Sequence, residues 1–120
     1  MKTLSLVLVA LTSLVATAAA DNKLHVSTDV VTWDKPLSEA QCLDTAKAAI
    51  GSADAKLTLI TASHAVIGTK AGWVVSADCL QSFKLNGAYV TVSDTGSPDD
   101  HKKVATAVSK ALGGKSEMYK

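Results

Sequence analysis

Arginine is absent from this chain, and all twelve of its basic residues are lysines. The planar fork that grips phosphate and guanine bidentately is therefore missing. Aromatics are scarce as well: Trp33, Trp73, Phe83, Tyr89 and Tyr119 are the full set. A broad stacking platform for bases cannot be built from so few rings. Cys42 and Cys79 are the only cysteines, which excludes a multi-thiolate zinc site. They are far apart in sequence, unlike the close pair of a redox motif. No H-E-x-x-H, EF-hand loop, glycine-rich phosphate loop or G-x-S-x-G elbow occurs. No cofactor and no metal are expected.

What is present begins with a leader. Lys2 supplies a positive start, Leu4 to Val15 an apolar stretch, and Ala18-Ala19-Ala20 a small-residue cleavage point. That order is the signature of a cleaved export signal. The expectation is a signal peptide over residues 1–20 and one small exported domain over 21–120, secreted or periplasmic. No cysteine sits at the cleavage region, and the residues from Gly113 to Lys120 are polar. Neither a lipoprotein nor a hydrophobic anchor signal is indicated, so no stable membrane anchor is expected after cleavage. Loss of Lys2 leaves equal numbers of lysines and carboxylates. A neutral domain without arginine lacks the basic stripe that neutralises phosphates, which argues against a nucleic-acid partner.

Export changes the reading of the cysteines. In an oxidising compartment an even count points to disulfide pairing, here Cys42 with Cys79. Closing that loop is worth about 3–4 kcal/mol of chain entropy, a large share of a small domain's stability.

Two helices are well signed. Ser38 and Gln41 form a capping box behind Leu37. Cys42, Leu43, Ala46, Ala49 and Ile50 then recur at helical spacing, with Gly51 as the expected end. Ser97, Pro98, Asp99 and Asp100 open a second helix as cap, first turn and acidic residues. Val104, Ala105, Val108, Ala111 and Leu112 are its apolar face, and Gly113-Gly114 its stop. Strands are expected over Leu24–Trp33, with a bulge near its end, over Lys56–Thr61 and Ala65–Thr69, either one interrupted strand or two, over Trp73–Cys79, and after the Asn86-Gly87 turn. In the first strand Leu24, Val26, Thr28 and Val30 share one side, and His25, Ser27, Asp29, Val31 and Trp33 the other. A solvent-facing His25 is expected. Ser116 to Lys120 reads as a tail or a short edge strand.

The fold class that follows is α+β: an antiparallel or mixed sheet of three to five strands with two helices on one face, in the order β-α-β-β-β-α. Without its first strand this order resembles that of double-stranded-RNA-binding domains. With one element reassigned, it is similar to a ferredoxin-like split β-α-β. The RNA-binding resemblance stops at element order, because Asp99 and Asp100 stand where phosphates would be gripped.

Chemistry is thinly marked. His25, His64 and His101 are the groups that titrate near neutrality. Asp99, Asp100 and His101 are adjacent on a helix and point apart, so they do not form a metal site. The expected function is noncatalytic recognition of a protein or another extracytoplasmic ligand, as in an inhibitor or a host-directed effector. Trp33, Trp73 and Phe83 are its candidate binding anchors, the last beside Leu80 and Leu85 in a connection. One alternative is a small hydrolase or nuclease in which two of the three histidines act as acid and base, with His64 or His101 as the candidates. Another is a structural envelope or matrix protein.

Overall fold

The computed structural model describes residues 24–96 and 100–117. The expected leader over residues 1–20, the expected Ser97-Pro98-Asp99 helix start and Tyr119 lie outside the described residues. In chain order the elements are β1 (His25–Thr32), α1 (Glu39–Ala53), β2 (Thr58–Thr61), β3 (Ala65–Lys70), β4 (Trp73–Cys79), a 3-10 turn (Gln81–Phe83), β5 (Gly87–Asp94), α2 (Asp100–Leu112) and β6 (Lys115–Ser116). The strands form one antiparallel sheet in the order β2-β3-β4-β5-β1-β6.

This sheet has six strands and is wholly antiparallel, which corrects the expected three to five strands and the mixed option. Two local events account for the difference. Ala62 N–H donates to Ala65 C=O at 2.8 Å, closing a hairpin at Ala62-Ser63-His64. The stretch before and after it is therefore two strands. Beyond α2, Gly113 takes φ +77° and the chain turns back along β1, pairing Ser116 with Val31. Glycine reaches that left-handed conformation without the steric cost of a Cβ.

α1 starts on the capping box. Ser38 Oγ accepts from Gln41 N–H at 3.1 Å, and Gln41 Oε1 accepts from Ser38 N–H at 2.9 Å. The helix does not stop at Gly51. It runs to Ala53, and Asp54 N–H closes the last turn on Ile50 C=O. Its stripe of Cys42, Ala46, Ala49 and Ile50 is buried against β3 and β4. The approach is close at Gly68, where a Cβ would lie 3.0 Å from Ile50 Cγ2. α2 packs beside α1 and on β1 and β5, so both helices cover the same sheet face. The disulfide joins Cys42 to Cys79 with Cα atoms 6.1 Å apart across 37 positions of chain, fastening the first turn of α1 to the end of β4.

β4 and β5 alternate as their sequences suggest, burying Val75, Ala77 and Cys79, and Ala88, Val90 and Val92. β1 does the opposite. Its apolar Val26 is exposed while Ser27 and Asp29 are buried beneath the helices with Val31. His25 faces the helices too and is half-buried, not solvent-facing. Hydrogen bonds explain the inversion, because a buried polar group needs partners more than it needs water. Ser27 Oγ is hydrogen-bonded to His101 Nδ1. Asp29 accepts from Ser109 Oγ at 2.6 Å, Ser116 Oγ at 2.5 Å and its neighbour Val30 N–H at 2.8 Å. One carboxylate thus ties β1 to α2 and β6. The register of β1 against β5 is continuous from His25–Asp94 to Thr32–Gly87, with no bulge.

Among the described residues no helix packs on the other sheet face. Its central row runs Ile60, Ile67, Ser76, Thr91, Thr28 across five strands. Apart from Gly87 at its edge, no strand position on that face is buried.

Candidate functional site

The sheet has two ends, and the expected site residues divide between them. At one end His25 pairs in register with Asp94, and Asp94 with Trp73. His101, in the first turn of α2, stacks its ring on that of His25 and is only 5% exposed. Asp94 is fully buried. Its Oδ1 accepts from Gly96 N–H at 2.6 Å, and its Oδ2 has no partner among the described residues. No group of three or more His, Cys, Asp or Glu among the described residues has the geometry to hold a metal ion.

His64 belongs to the opposite end. Its backbone C=O accepts from Cys79 N–H at 2.7 Å, and its ring pairs with Glu39 at the start of α1. His64 and His101 are therefore separated by the length of β4 and do not share a cleft. The two histidines that do converge are His25 and His101. The sequence signal for that was parity: His25 shares a strand face with Ser27, Asp29 and Val31.

Both tryptophans lean on the core. Trp33 packs against the buried cluster and donates Nε1–H to Leu112 C=O at 2.9 Å. It also lines a cavity of about 490 Å³ with Leu37, Thr45 and Lys115. Trp73 packs against the same core from the far end and lies under Lys70 Nζ, 5.0 Å from the ring centroid. Lys70 in turn pairs with Asp54 beyond α1. That ammonium, with a second hydrogen bond from Lys56 N–H, holds the Asp54 carboxyl below the ordinary carboxylate value.

Phe83 is different. It is 72% exposed, the most exposed large apolar side chain described, and its near neighbour Leu85 is 57% exposed. The turn that displays them is firmly built. Leu80 N–H donates to Gly87 C=O, Phe83 N–H to Leu80 C=O, and Lys84 N–H to Gln81 C=O, each at 2.9 Å. Lys84 adopts φ +61°, a left-handed conformation uncommon for a residue with a side chain. The disulfide lies immediately before the turn, at Cys79. Asn86 clamps its other side: Oδ1 accepts from Leu37 N–H at 3.0 Å, and Nδ2 donates to Trp33 C=O at 2.7 Å and Lys35 C=O at 3.0 Å. Sequence reasoning took Asn86-Gly87 as a tight turn and missed the clamp. Inside the turn the Gln81 amide is shielded from water with neither its O nor its N partnered among the described residues. Such groups are rare in native proteins.

No helix among the described residues is long and apolar enough to cross a membrane. Compared with protein-family models, curated proteins and solved structures, the chain matches none.

Proposed function

We propose that this chain is an exported, noncatalytic recognition domain that presents Phe83 and Leu85 to a partner protein. The observation that carries the reading is a 72% exposed phenyl ring held on a turn bonded at both ends and moored by a disulfide. An exposed apolar side chain carried on a backbone already held in place leaves less chain to order on binding, so more of its burial becomes affinity. Phe83, Lys84 and Leu85 together present a ring, an ammonium and a branched alkyl group, all exposed. Their complement is an apolar pocket with a carboxylate at its rim. The leader and the cysteine pair support an extracytoplasmic setting. His64 and His101 lie at opposite ends of the sheet, which does not favour a hydrolase built on those two together.

The test compares partner capture by the wild-type protein and by Phe83→Ala from the fluid into which the protein is exported, followed by titration of the retained protein. Truncating a central anchor costs at least about 2 kcal/mol, or roughly thirtyfold in Kd. The reading requires that loss with unchanged thermal stability. Equal retention by both proteins would overturn it.

A further inference from the structure

We infer that the sheet face opposite the two described helices is a self-association surface whose occupant is a second copy of this chain. The inference is independent of the Phe83 turn, which lies at one end of the sheet rather than on its face.

Its basis is the chemistry of that face. Antiparallel sheets with one side in water ordinarily carry polar and charged residues there. Across the open face of β1 to β5, Asp78 is the single charged position. Large apolar groups stand exposed instead: Val26, Ile60, Val74 and Tyr89. Between them lie hydroxyls, centred on Ser76 and Thr91, which are cross-strand partners. Hydroxyl groups both donate and accept, so a hydroxyl-bearing face can pair with an identical one. A face rich in lysine or in carboxylates could not.

The register sets the arrangement. Val74 and Ser93 form one flanking row and Asp78 and Tyr89 the other, on either side of the Ser76–Thr91 row. A two-fold axis along that central row, between the two faces, brings each Asp78 over the opposite flanking row. Identical carboxylates then never meet, and each comes within a strand spacing of a serine hydroxyl. Val26 and Val30, flanking Thr28 on β1, exchange places in the same way and meet each other across the interface.

Area sets the strength. Five strands about 4.8 Å apart, over about five residues of 3.4 Å each, give roughly 400 Å² of flat face per copy. The pair would bury about 800 Å² of flat face in all, less than a stable dimer needs and of the size of weak, transient contacts. The face is therefore expected to give a concentration-dependent monomer–dimer equilibrium.

Sedimentation equilibrium of the purified protein, from low micromolar to about 1 mM, tests this. The expected result is a mass that rises with concentration and saturates at twice the monomer. Val74→Lys places a charge on the exposed middle of the face and should weaken the dimer at least about tenfold, with Tyr89→Ser as a second variant should the first fail to fold. Phe83→Ala should leave the equilibrium unchanged. A monomer at every concentration, assembly beyond two copies, or a dimer indifferent to both face variants would overturn the inference. Loss of the dimer in Phe83→Ala would also overturn it, by moving the contact to the turn.

Discussion

The rings of His25 and His101 lie 2° from parallel with centroids 5.4 Å apart, joining the first residue of β1 to the first turn of α2. These residues are 76 positions apart in the chain. The stack, with the hydrogen bond between His101 Nδ1 and Ser27 Oγ, is what fills this end of the interface between helix and sheet.

His101→Ala should therefore cost about 2–3 kcal/mol, from the vacated volume and the orphaned Ser27 hydroxyl. Urea unfolding measures it. Ser27→Ala should cost less, and the double variant should fall short of the sum because the two share one interaction.

Asp29 offers a sharper case. Asp29→Ala strands the buried Ser109 hydroxyl and removes an acceptor from the half-buried Ser116 hydroxyl and from Val30 N–H. A loss of about 3–4 kcal/mol is expected in chemical denaturation. Ser116→Ala should remove only one of those bonds and cost about 1 kcal/mol.

Reduction of Cys42–Cys79 should lower stability by about 3–4 kcal/mol. Denaturation curves with and without reductant read the difference, and intact mass should rise by two hydrogens. A reduced protein with the same midpoint would show that packing of α1 on β4 needs no covalent link.

Asp54 sets a pH dependence of known sign. Lys70, then Lys56 N–H, depress its carboxyl in the folded state. The associated stability is complete above the unfolded carboxyl value, near pH ~4, and is lost as pH falls through the lower folded value. Asp54→Asn should flatten that acid limb. The effect should stay within about 1 kcal/mol, because the pair is near the surface.

Much of the fold was written locally. Ser38 and Gln41 announce the start of α1, and the alternation of Val75, Ala77 and Cys79 announces the buried face of β4. The disulfide followed from cysteine count and leader together. What the sequence hid was long-range. β1 reads with Val26 and Val30 inward, because hydropathy cannot see that Ser109 and Ser116 will arrive to satisfy Asp29 from 80 and 87 positions away. The sixth strand is only two residues long and exists because Gly113 reverses the chain. Phe83 was legible as an apolar residue in a connection. Its rigid display was not, since Asn86 looks like a turn residue until Leu37 and Trp33 are beside it.

The Cys42–Cys79 bond also divides the chain into cuts that can be survived and cuts that cannot. A break in the exposed Ala62-Ser63-His64 hairpin lies between the two cysteines, and both pieces remain one covalent molecule. A break after Lys84 falls outside that loop. It frees β5, which holds β4 on one side and β1 on the other. The exposed turn that displays Phe83 is therefore also the seam along which a protease would undo the sheet.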